Sequence, residues 1–131
     1  PTRVCGMVAN EGAPGGGPFW IKDSSGITKQ IVEKAQFKED ENQSEIARKS
    51  SHFNPVFIAL SKTNIDGERL DLMNFRDDSK FFIVKKSHKG EGILYRELPG
   101  LWNGSMSNWN TLFLKVPSDV FTPVKSVLDL I

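Results

Sequence analysis

Lys125 is the side chain of this sequence best placed to meet an anion. Thr122 is a good helix N-cap, Pro123 suits the first helical position because its missing N–H costs nothing there, and Val124, Val127 and Leu128 follow at helical spacing. A short C-terminal helix is therefore predicted, with Lys125 in its first turn. At that end the helix dipole disfavours a cation while free backbone N–H groups attract an anion, so a lysine there suits a bound phosphate. The same spacing equally allows a solvated Lys125 paired loosely with Asp129, four residues on.

Three other groups of residues have types suited to binding. Residues 12–18 hold four glycines and two prolines, a composition that neither a helix nor an interior strand tolerates. In that loop Gly15, Gly16 and Gly17 let the backbone approach a ligand, and successive N–H groups form an anion nest, although no phosphate-loop consensus is present and a plain surface loop reads the same way. His52 stands with Asn54 and Pro55 ahead of an apolar run, at a strand end where functional groups are often presented; tying down a turn is the alternative role. Trp102, Asn103, Asn108, Trp109 and Asn110 combine aromatic faces with amides that both donate and accept, which suits a carbohydrate or a nucleotide, while tryptophan is also an ordinary core residue. One cysteine and two distant histidines lack the spacing of a soft-metal site. No nucleophile-elbow motif supports a Ser-His-Asp triad.

The elements that must position these residues are mostly strands. Arg3–Val8 is a short β-prone run leading into the glycine loop. Phe19–Lys22 and Ile27–Lys34, joined by Asp23-Ser24-Ser25-Gly26, predict one hairpin; Lys80–Lys85 and Ile93–Leu98, joined through Ser87–Gly92, predict a second. Glu39–Ser50 carries few apolar positions and reads as a solvated helix or loop. Val56–Leu60, apolar throughout, is predicted to be a central strand buried on both faces. Ile65–Glu68 reads as a turn, Arg69–Phe75 alternates only loosely, and Thr111–Val116 is the strand that delivers the chain to the final helix. The expected fold class is α+β, with a strand-rich mixed sheet, two hairpins and a C-terminal helix in a single domain spanning 1–131.

With 17 Lys and Arg against 16 Asp and Glu, the net charge is +1, so no global field draws in nucleic acid or a membrane surface. The longest apolar runs are too short to span a bilayer. Cys5, being alone, forms no internal disulfide, which fits a reducing cytoplasm. The chain opens at Pro1 with no initiator Met, and is expected to be a fragment or processed piece of something longer.

Two segments resemble sugar-1-phosphate nucleotidyltransferases. Gly26-Ile27-Thr28-Lys29-Gln30-Ile31-Val32-Glu33-Lys34 is similar to the strand of those enzymes that closes with Val-Glu-Lys-Pro, with Ala35 standing in the place of the proline. That resemblance implies that Glu33 holds a sugar hydroxyl and that Lys34 faces the sugar phosphate. Val116-Pro117, followed by Phe121-Thr122-Pro123-Val124-Lys125-Ser126 and Asp129-Leu130, is similar to the segment of UDP-glucose pyrophosphorylases in which a lysine approaches the phosphates, and Lys125 occupies that lysine's place. Gly15-Gly16-Gly17-Pro18-Phe19-Trp20 resembles their glycine-rich segment near base and sugar, without its His and Asp. From residue 3 to residue 130 the chain also resembles the C-terminal part of a longer bacterial family of unknown function, on the segments Gly-Gly-Gly-Pro-Phe-Trp, His-Phe-Asn-Pro-Val and Leu-Trp-Asn-Gly. The loop that grips the nucleoside triphosphate and the acidic residue that holds its magnesium are not found in this sequence. The resemblance thus implies the sugar side of such a fold, binding a sugar phosphate or nucleotide sugar. It implies no cofactor in this chain, Mg2+ for the full-length protein, and the missing N-terminal part as a partner. The alternative from another class is a non-catalytic module that packs against the rest of its own chain or a partner.

Overall fold

A computed structural model of the protein describes residues 1–12, 16–24, 26–37, 40–55, 57–97, 109–120 and 126–130. Its first strand, β1 (Thr2–Ala9), is the centre of the main sheet. Val4, Cys5, Met7 and Val8 give it apolar residues on both faces, as a strand covered on both sides requires. Along one edge β1 meets two short antiparallel strands, β4 (His52–Phe53) and β5 (Ile58–Leu60). Along the other it runs parallel to β8 (Asn110–Lys115), with Arg3 beside Thr111 and Met7 beside Lys115.

Two hairpins complete the strands among the described residues. β2 (Gly17–Asp23) and β3 (Gly26–Val32) pair in register from Gly17 with Val32 to Asp23 with Gly26. β6 (Phe82–His88) and β7 (Glu91–Glu97) pair from Phe82 with Glu97 to His88 with Glu91, leaving Lys89 and Gly90 as a two-residue loop. Both loop residues have positive φ, 51° and 85°, the mirror-image turn that matches strand twist and that glycine adopts at no steric cost. Among the described residues the one α-helix, α1 (Glu41–Arg48), starts where the Asp40 side chain accepts the Gln43 N–H at 2.9 Å, and no residue of it is buried. Short 3₁₀ turns cover Lys34–Gln36, Leu72–Phe75, Asp78–Lys80 and Val127–Leu130. The arrangement is α+β and strand-rich, and among the described residues no helix is long and apolar enough to cross a membrane.

The core sits between β1 and the first hairpin. Cys5, Met7 and Ile31 are buried together, with Ile58 and Phe113 packed against them; Val8, Phe53 and Val116 form a second cluster. A charged side chain lies in the same layer. Arg3 is completely buried, its Nε donating to Thr111 Oγ1 at 2.9 Å and its Nη2 to Gln30 Oε1 at 2.8 Å, which ties β1 to β8 and to β3 at once. Burial pushes the Arg3 guanidinium below its ordinary pKa. It pushes the Cys5 thiol up, against a smaller downward pull from Arg3, so Cys5 stays a protonated core residue.

One sequence expectation needs correction. Val56–Leu60 is not the central strand: only Ile58–Leu60 pairs, Phe57 is 52% exposed, and Val56 lies outside the described residues. The physical reason is Asn54-Pro55. Proline cannot donate to a ladder, so the edge strand breaks into β4 and β5, and Asn54 Nδ2 replaces the missing donor with bonds to Gly6 O at 2.8 Å and Phe57 O at 3.3 Å. The loosely alternating Arg69–Phe75 ends as the 3₁₀ turn Leu72–Phe75, opened by Asp71, whose side chain accepts the Met73 N–H. At the C-terminus the described part is the 3₁₀ turn Val127–Leu130; the expected helix start at Thr122, Pro123 and Lys125 lies outside the described residues.

Candidate functional site

Five of the residues singled out above meet at one corner. Gly16 lies at the end of the glycine loop, and its carbonyl accepts the Asn54 N–H at 2.7 Å, bridging the first hairpin to the edge strand. A Cβ on Gly16 would lie 2.5 Å from Ile31 Cγ2 and 3.1 Å from Glu33 Oε1, so the carboxylate of Glu33 rests against bare glycine backbone that no larger residue could supply. Gly17 is equally enclosed, since a Cβ there would lie 2.6 Å from the Phe19 ring and 3.0 Å from Ser50 Oγ. Ser50 Oγ donates to the His52 carbonyl at 2.9 Å, and His52 Nδ1 is 2.9 Å from Ser51 Oγ. The corner therefore sets a carboxylate and a hydroxyl against a glycine pair, with the His52 backbone tied to that hydroxyl.

Local structure fixes Glu33. It directly follows β3, and its own N–H donates to Gln36 Oε1 at 2.8 Å while its carbonyl accepts the Gln36 N–H at 2.9 Å, closing the 3₁₀ turn Lys34–Gln36 behind it. Half-buried in this position, the Glu33 carboxyl is pushed above the usual carboxylate range by desolvation. Lys34, next in sequence, is exposed. Asn54 is buried and its amide nitrogen is engaged with Gly6 and Phe57, so it shapes the corner from behind. Such a corner can accept hydrogen bonds from ligand hydroxyls and set a lysine beside them. Among the described residues no group of three or more His, Cys, Asp or Glu could hold a metal ion.

The remaining candidates sit elsewhere. Trp109 and Asn110 lie at the start of β8, beside Thr2, at the opposite end of the sheet from the Gly16–Asn54 bridge. Trp109 is only 4% exposed, donates its indole N–H to Phe75 O at 3.0 Å and meets the Phe75 ring edge-on, which is core packing. The Asn110 side is exposed, and its N–H donates to Pro1 O at 3.1 Å. Asn103 and Lys125 lie outside the described residues, as do Trp102 and Asn108. Sequence reasoning overlooked Ser50 and Gln36. A serine closing a charged helix and a glutamine after a strand have no local signature; only the pairing of distant segments gives them their places.

Comparison with known proteins adds one finding. The family model described as Domain of unknown function (DUF4301) matches residues 1–131. None of the curated proteins and none of the solved structures matches the chain.

Proposed function

The chain belongs to the DUF4301 family, and from that premise we propose that it is the sugar-phosphate- or nucleotide-sugar-binding portion of a nucleotidyltransferase-like protein. The reading rests on one observation: Gly16, Gly17, Glu33, His52 and Asn54, scattered over the first half of the sequence, converge beside the carboxyl-terminal end of β1. Because β8 runs parallel to β1, the chain leaving β8 starts from the same end of the sheet, with the Val116 N–H donating to Met7 O at 2.8 Å. Carboxyl ends of adjacent parallel strands are where open sheets that contain them bind ligands. In this reading Glu33 accepts from sugar hydroxyls, Lys34 and Lys125 face phosphate, and Asn54 holds the glycine loop in position. The full-length protein would join a sugar phosphate oxygen to a nucleoside triphosphate with release of pyrophosphate, chiefly by positioning and charge neutralisation, with Mg2+ bound outside this chain.

A thermal-shift panel of sugar 1-phosphates and nucleotide sugars, with inorganic phosphate as control, tests the proposal. A ligand at a hundred times its dissociation constant adds about 2.7 kcal/mol, a shift of several degrees at this size. Lys125→Met is expected to weaken binding by about 1.5 to 3 kcal/mol, the range for a lost charge-assisted contact, and Glu33→Gln to weaken sugar phosphates more than inorganic phosphate. A panel in which nothing shifts, or a shift that both substitutions leave intact, overturns it.

A second reading, that of a module packing on the rest of its own chain or on a partner, has its own observation. One face of the main sheet carries Leu112 at 62% and Leu114 at 59% exposure, next to the half-exposed Phe57, whose ring lies over Gly6. These neighbours form an apolar patch of the kind that marks interaction surfaces.

A further inference from the structure

A cavity of about 430 Å³ opens beside the two central 3₁₀ turns, lined by Asn74, Phe75, Arg76, Asp77, Asp78 and Trp109. It shares no residue with the glycine corner. Its apolar side is Phe75, backed by the buried Trp109: the two rings meet edge to face at 6.2 Å and 84°, and the indole N–H donates to Phe75 O. The remaining lining is polar and ordered. Arg76 grips Asp78 through Nε at 2.6 Å and Nη2 at 3.2 Å, and Asp77 accepts from Ser79 N–H at 3.0 Å and from its hydroxyl at 2.6 Å.

We propose that this cavity binds a single uncharged sugar ring. The volume falls within the usual range of small-molecule sites, where an apolar wall is combined with a few placed polar groups. The forked Arg76–Asp78 pair decides the chemistry. Two carboxylate oxygens have about four lone-pair sites and a guanidinium has five N–H donors, so after two mutual bonds the pair still offers acceptors and donors side by side. A hydroxyl is both donor and acceptor, and neighbouring hydroxyls on a ring satisfy both edges at once. C–H groups of the ring face Phe75, which Trp109 backs from the core, and Asn74 adds an amide. Charge argues against an anionic ligand: one arginine and two aspartates leave the lining at net −1, with the arginine already neutralised by Asp78. A phosphate here meets repulsion from Asp77 without a compensating cation.

The test is a titration of the ¹⁵N-labelled chain with glucose, galactose, mannose and N-acetylglucosamine, and with glucose 1-phosphate for comparison. Saturable shifts of the Trp109 indole N–H and of the Phe75 and Arg76 amides are expected from at least one neutral sugar. Asp78→Asn should weaken that sugar about ten-fold or more, and Arg76→Lys should weaken it by breaking the fork while keeping the charge. Because Asp78 and Arg76 are exposed, neither substitution threatens the fold. No shift at these resonances from any neutral sugar overturns the inference, as does tighter binding of glucose 1-phosphate at the same residues. Shifts at Gly16, Gly17 and Glu33 report on the other site, so either proposal can fail alone.

Discussion

Glu33 is the residue whose surroundings make the strongest chemical statement. Its carboxyl has a raised pKa in the folded chain, so the fold favours its protonated form. The resulting contribution to stability is complete below the ordinary carboxylate range and is lost as pH rises through the elevated folded value. Glu33→Gln keeps the neutral shape at every pH. Urea unfolding across the acidic and neutral range is therefore expected to show the variant gaining on the parent as pH climbs through that window; a pH-independent difference would mean that Glu33 is not desolvated in the fold. Neither this effect nor the contact behind it is readable locally. Glu33 stands out in the sequence only through its resemblance to a nucleotidyltransferase strand, and the partner that encloses it, Gly16, comes from another segment. Arg3 is opaque for the same reason: a charge at the start of a β-prone run reads as a solvated flank until Gln30 and Thr111 arrive to satisfy it.

Among the elements, α1 is the least supported. Its eight residues bury nothing, and isolated helices of that length are marginal in water. What holds it is local: the Asp40 cap, and a Glu45–Lys49 pair at 2.7 Å whose exposure limits it to a few tenths of a kcal/mol. Asp40→Ala should cost the helix about 1 kcal/mol, seen as roughly five-fold faster amide exchange across Glu41–Arg48, while the urea midpoint of the sheet hardly moves. A matching fall in global stability would show that α1 is coupled to the core. This helix is only half legible in sequence, where the charged run Glu39–Ser50 fits a solvated helix or a loop equally, and the hairpins are visible because Asp23–Gly26 and Ser87–Gly92 carry turn signals. The edge strand is not, because an apolar run reveals burial preference and says nothing about which neighbour it pairs with, and the Asn54-Pro55 break outweighs it.

For the molecule as a whole, the open face at Leu112 and Leu114 sets colloidal behaviour. A net charge of +1 supplies little mutual repulsion, so the patch is expected to drive weak association that rises with concentration. Leu112→Thr with Leu114→Thr preserves strand propensity at two exposed positions and should change stability by less than about 1 kcal/mol while reducing association in sedimentation equilibrium. Undiminished association would assign the contact to another surface. Fold class and strand content are legible in composition and turn spacing, whereas the centre of the sheet is not, since it depends on a parallel pairing between the two ends of the sequence. That pairing governs how the protein is born. Arg3 and Thr111 are 108 residues apart, so at ordinary elongation rates roughly 5 to 20 s separate the synthesis of β1 from that of β8. For that interval β1 has one edge without its parallel partner, open to pairing with a neighbouring chain.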